Sequence, residues 1–443
     1  MNAPREHWSG GLGFTLAAVG SAVGLGNMWR FSYMAAENGG GAFVVLYVVM
    51  TLLIGLPVML AEFTLGRGAA RSPIEAIGHY GGSRWKPLGV LFVVTGFTIL
   101  GYYSVIAGWA VRYAVEGLAF GFPADAGAHF GEISEGWDTV AWHLGFMAIT
   151  VFVVSGGVRA GIERAAILLM PALGAMIIGL AIYANSLEGA GAGYAYYFQT
   201  DFIQILDFDV ARDAAGQAFF SLSLGMGTML TYASYLSREH DLPQEAGLIA
   251  ISDFGIAVVA GLVIFPLLFA LGLETQIMGG ETGTLGALFV VLPKAFSSMG
   301  AAGPFVGGAF MVALSVAAVT SAMSLLEVVV ATAVDGLGWS RPKAAIVSGA
   351  AIALLGIPAA LDIGILELMD SVGGALFLLV GGFFLALFVG WRVPDPIAEV
   401  GGTRRAGLGL WRFLLRWVVP SVLLLMSYFQ GQASLELIRK LAG

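Results

Sequence analysis

Gly20-Ser21-Ala22-Val23-Gly24-Leu25-Gly26-Asn27-Met28-Trp29-Arg30-Phe31 lies inside an apolar segment that runs from about residue 11 to residue 36. A segment of this length can cross a bilayer as a single helix. However, Gly-Leu-Gly-Asn interrupts the helix at its middle, and each unsatisfied backbone group costs several kcal/mol in hydrocarbon. Broken helix is tolerated at membrane depth only where it lines a cavity enclosed by protein. The stretch therefore predicts a discontinuous helix beside a cavity.

A second stretch repeats this pattern in the other half of the chain. Ser223-Leu224-Gly225-Met226-Gly227 lies inside the apolar segment 214–236. Two glycine-interrupted spans at corresponding places in two halves point to the central binding site of a transporter. We therefore expect both breaks to face one site near the middle of the membrane.

The composition sets the class of protein. The 443 residues are 58% hydrophobic and only 11% charged, and the mean hydropathy is +0.86. Soluble domains carry roughly 25% charged residues, so the chain is predicted to be a polytopic membrane protein. The absence of cysteine excludes disulfides, thiolate metal sites and cysteine nucleophiles. The sequence contains no G-x-x-x-x-G-K-[ST] phosphate loop and no H-E-x-x-H motif, so we expect transport driven by an ion gradient, and no enzyme.

Apolar runs long enough to span the membrane give the predicted architecture. About eleven are found, at 11–36, 41–66, 88–118, 138–155, 164–184, 212–236, 246–272, 303–334, 343–360, 365–391 and 411–430. We expect an all-α polytopic membrane protein with about 11 transmembrane helices, of which helices 1 and 6 are discontinuous. Residues 1–443 form one transporter domain, with a first five-helix repeat at 9–185, a second, inverted repeat at 210–392 and an additional eleventh helix at 408–432.

The loop charges predict the orientation. Basic residues of the loops and span ends collect on the N-terminal side: Arg5, Arg67, Arg71, Arg84, Lys86, Arg159, Arg164, Arg238, Arg341, Lys343, Arg392, Arg404, Arg405, Arg412 and Arg416. The opposite loops carry mainly acids, so the positive-inside bias places the N-terminus in the cytoplasm and the C-terminus outside. The connections at 119–137, 185–211 and 276–300 are predicted to hold short helices over an outer vestibule.

Ionisable residues inside membrane spans are costly and are functional candidates by default. The polar candidates are Asn27, Arg30, Glu62, Gln217, Asp253, Thr320, Ser321, Glu327 and Asp370. Structural roles remain open for several of them. Glu62 could satisfy backbone groups exposed by a broken helix, the two hydroxyls could bond to their own turn, and Arg30 and Asp370 could snorkel to an interface.

Motifs along the whole chain resemble the neurotransmitter:sodium symporter family, especially the bacterial leucine and hydrophobic-amino-acid transporters. They are Arg5-Glu6-His7-Trp8, Gly24-Leu25-Gly26-Asn27 through Arg30-Phe31, Glu37-Asn38-Gly39-Gly40-Gly41-Ala42-Phe43, Gly55-Leu56-Pro57 with Glu62 and Gly66-Arg67, Tyr102-Tyr103, Gly161-Ile162-Glu163-Arg164 through Pro171, Gln217 through Gly227 with Thr231-Tyr232-Ala233-Ser234-Tyr235, and Thr320-Ser321. The resemblance implies a sodium-coupled symporter in the bacterial inner membrane that works by alternating access.

The resemblance also implies site residues. A first sodium site would use the Ala22 carbonyl, Asn27, Ser221, Asp253 and the substrate carboxylate. A second would use the carbonyls of Gly20, Val23 and Ala317 with the hydroxyls of Thr320 and Ser321. The substrate pocket would be lined by Ala22, Gly24, Gly26, Ile99, Tyr103, Phe220, Ser223, Met226, Ser321 and Leu325. Tyr103 would bind the substrate carboxylate, and Phe220 would close the pocket from outside.

Gating residues follow from the same resemblance. Arg30 and Asp370 resemble the pair of residues that forms the outer gate in the family. The inner gate would consist of Arg5 with Asp335, near Trp8 and Tyr235. Gly161 and Pro171 resemble the points at which the fifth helix unwinds to let water reach the second sodium ion.

At two positions this sequence differs from other members of the family, and these positions narrow the range of expected substrates and co-transported ions. Gly24 stands where monoamine carriers place an aspartate, which leaves room for a substrate carboxylate to bind sodium directly. Asp253 stands where well-known members have asparagine, and a fixed carboxylate can replace the chloride that animal members use. We therefore expect chloride-independent transport of an amino acid, with Asp253 as a candidate carrier of a returning proton.

The predicted pocket favours an apolar substrate, because Ile99, Phe220, Met226 and Leu325 offer no partner for a charged side chain. A branched or aromatic amino acid fits best. Two alternatives stay open: sodium-coupled uptake of another zwitterion, such as a GABA-like or betaine osmolyte, and a non-transporting amino-acid sensor. The expected partners are the amino acid, sodium and the lipid bilayer, with no nucleotide or nucleic acid.

Overall fold

The computed structural model describes residues 6–275, 283–400 and 407–442, and these residues form helices without any β-strand. Nine helices are long and apolar enough to cross a membrane: Gly41–Ala69, Ser83–Phe120, Trp137–Ser155, Val158–Asn185, Leu242–Ala270, Gly300–Leu337, Arg341–Leu361, Ile363–Arg392 and Leu408–Leu441. They are the second to fifth and the seventh to eleventh spans. The first and sixth predicted spans are each made of two shorter helices, and the first pair is long and apolar enough together to form a tenth, bent span among the described residues.

The first span is broken at the predicted place. Its two halves are Gly11–Ala22, called here the inner half-helix, and Gly26–Glu37, and they are bent by 63° relative to each other. "Inner" refers to the predicted cytoplasmic side. The break follows from Gly24 and Gly26, because glycine gives no side-chain packing that would hold the turn in a regular helix.

The sixth span is broken between Phe208–Ser221 and Thr228–Ala233. In the intervening segment Ser223, Gly225 and Gly227 have φ angles of 54°, 79° and 73°. A Cβ added at Gly225 would lie 2.3 Å from the Leu378 carbonyl oxygen. Glycine is required at this position by both the left-handed backbone and the close approach of the tenth span.

Two long, largely buried helices support these breaks. Lys86–Phe120 of the third span and Gly303–Leu337 of the eighth pack along each other. The third span brings Ile99 and Tyr103, and the eighth brings Ser321 and Leu325, to the breaks. The site is therefore built from broken helices held by unbroken ones.

The long outer connections contain the expected short helices. Ala126–Ile133 follows the third span, Ala190–Phe198 follows the fifth, and Leu292–Ser298 precedes the eighth. Short helices are thus present in all three connections, although residues 276–282 of the last one lie outside the described part of the chain. Their position over an outer vestibule remains a prediction.

Helix ends differ from the predicted ends by a few residues at most spans, and the differences are largest at two of them. The fifth span begins at Val158, ahead of the predicted 164, and the eleventh continues to Leu441, beyond the predicted 430. Apolar runs report the part of a helix that lies in hydrocarbon, whereas a helix continues wherever its hydrogen bonds can be made. Arg439 and Lys440 therefore lie on the eleventh helix. The repeat boundaries 9–185 and 210–392 remain a prediction.

Candidate functional site

A small cavity of about 30 Å³ lies where the two breaks meet the third and eighth spans. It is lined by Ser21, Ala22, Gly24, Leu25, Gly26, Ile99, Tyr103, Phe220, Ser221, Ser223, Met226, Ser321 and Leu325. The structure thus brings together all of the residues that were predicted to line a substrate pocket. None of the lining side chains carries a formal charge.

Polar groups converge at the Gly24 end of this cavity. The Tyr103 hydroxyl lies 3.5 Å from the Leu25 backbone nitrogen, and a Cβ added at Gly24 would be 3.2 Å from the same hydroxyl and 2.6 Å from Ser321 Oγ. Glycine at position 24 therefore keeps open a small space beside backbone N–H groups and two hydroxyls. This arrangement suits a carboxylate, because N–H and O–H groups can donate to its oxygens.

Asn27, Ser221 and Asp253 form a buried cluster next to the cavity. Asn27 Nδ2 donates to Ser221 Oγ at 2.9 Å and to Asp253 Oδ1 at 2.6 Å. Ser221 Oγ donates to the Asp253 carboxylate at 2.9 Å, and the Tyr47 hydroxyl donates to Asp253 Oδ2 at 2.8 Å. The cluster supplies carboxylate, amide and hydroxyl oxygens, which are the ligand types that hard cations prefer.

A second set of oxygens surrounds Ser321. Its Oγ lies 3.4 Å from the Gly20 carbonyl oxygen, 3.3 Å from that of Ser21 and 3.4 Å from that of Val23. These carbonyls belong to the C-terminal end of the inner half-helix, where partial negative charge accumulates. On the eighth span, Thr320 Oγ1 donates to the Ala317 carbonyl at 2.9 Å. All the predicted residues of the second sodium site therefore lie in one region.

Glu62 has a role that the sequence left open. Its carboxylate accepts a hydrogen bond from Gly225 N at 2.8 Å and another from Leu230 N at 3.0 Å. Both donors belong to the broken sixth span, and Glu62 itself is fully buried. The geometry favours the structural role, since Glu62 satisfies backbone groups that the break leaves without helical partners.

We expect Glu62→Ala to lower the melting temperature of the purified protein strongly, because two buried N–H groups lose their acceptor at a cost of about 1–3 kcal/mol each. Glu62→Gln keeps one carbonyl oxygen and should be milder. The sodium concentration for half-maximal binding should stay unchanged in Glu62→Gln, with Glu188→Ala in an outer loop as the stability control. A normal melting temperature with weakened sodium binding would instead make Glu62 an ion ligand.

Outside the small cavity lies a vestibule of about 640 Å³. Phe220 and Tyr103 line both spaces and so form the boundary between them. Arg30 and Asp370 line the vestibule, and the guanidinium of Arg30 lies 4.9 Å from the centre of the Phe220 ring. Among the described residues no ion pair within 4.0 Å joins Arg30 to Asp370. The predicted outer pair therefore faces a common space without closing it.

On the predicted cytoplasmic side, Trp8 packs against aromatic residues of the sixth span. Trp8 Nε1 donates to the Tyr232 carbonyl at 3.0 Å, and the Trp8 ring meets the Tyr235 ring edge-on with 6.3 Å between centroids. Asp335 accepts a hydrogen bond from Ser72 N at 2.7 Å. Arg5, its predicted partner, lies outside the described residues. Gly161 and Pro171 both lie on the wound helix Val158–Asn185, so the predicted unwinding points are helical here.

Sequence reasoning missed several groups of the site. Tyr47 lies within an apolar run and gave no signal of its bond to Asp253. The Ser21 hydroxyl donates to Ser324 Oγ at 2.8 Å, which in turn donates to the Ser321 carbonyl at 2.8 Å. Gln217, by contrast, was among the polar candidates of the sequence, and its Nε2 donates to the Gly26 carbonyl at 3.0 Å. The hydroxyls of Thr320, Ser321 and Ser324 on the eighth span were the only sequence signal for the hydrogen bonds that link Ser21, Ser324 and Ser321.

Three comparisons with known proteins agree with this architecture. The model of the sodium:neurotransmitter symporter family matches residues 5–130 and 128–433. An uncharacterized sodium-dependent transporter of Bacillus subtilis is 36% identical over 441 residues, covering 95% of this chain and 96% of the relative. An uncharacterized sodium-dependent transporter of Methanocaldococcus jannaschii is 33% identical, covering 96% of this chain and 90% of the relative.

A solved structure, MhsT in complex with L-phenylalanine, superposes with a TM-score of 0.87 at 42% sequence identity, covering 96% of this chain and 99% of that chain. Both the sequence matches and this fold match extend over nearly the whole chain. The protein is therefore an integral membrane protein that carries out sodium-coupled transport, and it belongs to the sodium:neurotransmitter symporter family.

Proposed function

We propose that this protein imports a hydrophobic amino acid, branched or aromatic, together with sodium by alternating access. The observation that carries the proposal is the cavity between the two breaks, which is lined by apolar side chains and by hydroxyls and backbone N–H groups at one end. One end suits the carboxylate of an amino acid. The apolar lining residues Ile99, Met226 and Leu325 suit an apolar side chain, and the flexible Met226 can adjust to its shape.

Sodium is the proposed co-substrate, and it binds at two sites. The first uses the Ala22 carbonyl, Asn27, Ser221, Asp253 and the substrate carboxylate. The second uses the carbonyls of Gly20, Val23 and Ala317 with Thr320 and Ser321. Since the substrate carboxylate is itself a ligand of the first ion, each of the two strengthens the binding of the other. Transport is proposed to be independent of chloride because Asp253 supplies a fixed negative charge.

The proposed cycle uses the two boundaries of the cavity. Arg30 and Asp370 approach each other over Phe220 when the outside closes, and the Trp8 region with Arg5 and Asp335 separates when the inside opens. The aromatic packing of Trp8 and the open vestibule support an inner-closed arrangement as one state of this cycle. The predicted orientation, with a cytoplasmic N-terminus in the bacterial inner membrane, makes this direction import.

Uptake of each of the twenty radiolabelled amino acids into proteoliposomes tests the proposal. We expect accumulation of branched or aromatic amino acids with an inward sodium gradient, and none when potassium replaces sodium. Acidic, basic and small polar amino acids should not compete. Binding of a hydrophobic amino acid without accumulation would favour the sensor alternative and contradict the proposal.

Another zwitterion remains the second candidate. A relative named as a sodium- and chloride-dependent betaine transporter of Caenorhabditis elegans is 28% identical over 60% of this chain. The cavity favours an amino acid, because none of its lining side chains is charged and could pair with a distant amine. Betaine and GABA are therefore expected to leave uptake of the hydrophobic amino acid unchanged.

A further inference from the structure

The inner half-helix Gly11–Ala22 separates the cavity from the inner side of the protein. Its C-terminal end supplies Ser21 and Ala22 to the cavity wall, and Trp8, just before its first turn, packs beneath the sixth span. In the proposed alternating-access cycle, this half-helix moves when the inside opens. Whatever holds it in place therefore sets how readily the inside opens.

Glu245, at the start of the seventh span, contacts one side of the inner half-helix. Thr15 Oγ1 donates to Glu245 Oε2 at 2.6 Å, and His240 Nδ1 lies 3.4 Å from Glu245 Oε1. A Cβ added at Gly11 would lie 2.6 Å from His240 Cε1, so the helix lies directly on this pair. Arg67 holds the His240 carbonyl at 2.6 Å and fixes the loop that carries it.

Glu163, on the fifth span, contacts another part of the same helix start. Its carboxylate accepts hydrogen bonds from both the backbone nitrogen and the hydroxyl of Ser9, the former at 2.9 Å. A Cβ added at Gly13 would overlap the Glu163 carboxylate, at 2.1 Å from Oε1. Glu163 is 2% exposed and Glu245 is 8% exposed, so both carboxylates are almost completely removed from water.

Two nearly buried carboxylates thus accept hydrogen bonds from Thr15 of the inner half-helix and from Ser9, two residues before its start. A buried carboxylate without a donor pays the full cost of lost hydration, whereas hydrogen bonds to charged groups are among the stronger ones in proteins. When the half-helix moves away, water can replace Ser9 and Thr15. Without the Ser9 or Thr15 hydroxyl, a carboxylate lacks a donor in the closed position but can still be hydrated in the open one. The hydroxyls therefore favour the closed position.

We propose that Glu163 and Glu245 are positioning residues that latch the inner half-helix in its inner-closed position through Ser9 and Thr15. The inference rests on the proposed alternating-access cycle. These two contacts also affect sodium binding, because the carbonyls of Gly20 and Ala22 on the same inner half-helix are proposed ion ligands. If sodium binds the inner-closed state, a variant that populates this state less binds sodium with proportionally weaker apparent affinity.

The absence of cysteine in the chain allows a direct test. Ala233→Cys places one thiol at a fully buried position on Thr228–Ala233, near the Trp8 contact. The rate at which a small maleimide labels this thiol in detergent is measured against sodium concentration. Thr15→Val is compared with Thr150→Val, in which the lost hydroxyl bonds only to its own helix, at the Phe146 carbonyl.

In Thr15→Val the introduced thiol is expected to react with the maleimide roughly tenfold faster without sodium. This variant should also need roughly tenfold more sodium for half-maximal protection of the thiol, as loss of a hydrogen bond to a charged group implies. Thr15→Ser keeps the hydroxyl and should restore both values. Thr150→Val should behave like the parent. Equal labelling and equal sodium protection in Thr15→Val and Thr150→Val would overturn the proposal for Glu245.

The Glu163 contact is tested in the same background with Ser9→Ala, against Ser427→Ala, whose hydroxyl bonds to the Leu423 carbonyl of its own helix. A smaller rise in labelling is expected, because the Ser9 backbone nitrogen still donates to Glu163. Labelling identical to that of Ser427→Ala would remove Glu163 from the latch. The assay contains sodium and no amino acid, so an error in the proposed substrate would leave its outcome unaffected.

Discussion

Replacing Gly24 with aspartate is expected to abolish sodium-dependent uptake of hydrophobic amino acids. A Cβ at this position already lies 2.6 Å from Ser321 Oγ and 3.2 Å from the Tyr103 hydroxyl. The added carboxylate would therefore occupy the space proposed for the substrate carboxylate. Two carboxylates cannot share this buried end of the cavity, because like charges at short distance disfavour the ionised form of each.

The expected loss is large. An uncompensated buried charge costs about 3–5 kcal/mol, which corresponds to at least a hundredfold weaker substrate binding. Gly24→Ala separates the effect of size from that of charge. It should weaken uptake through the contact with Ser321, whereas Gly96→Ala on the third span should not, because its Cβ would meet no other atom closer than 3.8 Å.

Initial rates of uptake and substrate binding in detergent are measured for the three variants. Binding should be lost in Gly24→Asp while the melting temperature shows that the protein remains folded. Retained transport of the same amino acids in Gly24→Asp would show that the substrate carboxylate does not lie at Gly24, and the proposed binding mode would then be wrong.

The backbone of the site could be predicted from the sequence because helix breaks leave a local signature. Glycine pairs at Gly24 and Gly26 and at Gly225 and Gly227 interrupt runs that are otherwise long enough to cross the membrane. The structure places breaks at both positions. The residues around them could be assigned because the motifs match a known family over the whole chain, and the structure brings those residues to one cavity.

Long-range side-chain pairs could not be predicted in this way. Tyr47 and Asp253 are joined by a hydrogen bond across 206 positions of the chain, and Thr15 and Glu245 across 230. A tyrosine in an apolar run or a threonine in a helix carries no local mark of its partner. In the proposed cycle, the separation of Arg30 from Asp370 differs from one state to another, whereas the sequence is the same in every state.

Replacing Asp253 with asparagine is expected to weaken sodium binding strongly while leaving the fold intact. Asparagine has nearly the same shape, so Ser221 and Tyr47 can still donate to its carbonyl oxygen, whereas Asn27 Nδ2 loses one of its acceptors. The negative charge, however, is lost from a cluster that is fully buried. Since the interaction between charges is much stronger in a buried site than in water, we expect at least a tenfold higher sodium concentration for half-maximal uptake.

The anion dependence gives this variant a second, independent measurement. In the parent protein, uptake rates in sodium chloride and in sodium gluconate should be equal, because the Asp253 carboxylate already supplies the negative charge beside the first sodium site. Asp201→Asn, in an exposed outer loop, serves as the control for loss of a carboxylate and should match the parent in both salts. Slower uptake of the parent in gluconate would show that a mobile anion is needed, and unchanged sodium affinity in Asp253→Asn would remove Asp253 from the ion site. If both measurements come out as expected, the charge that balances sodium in this transporter belongs to the seventh span itself.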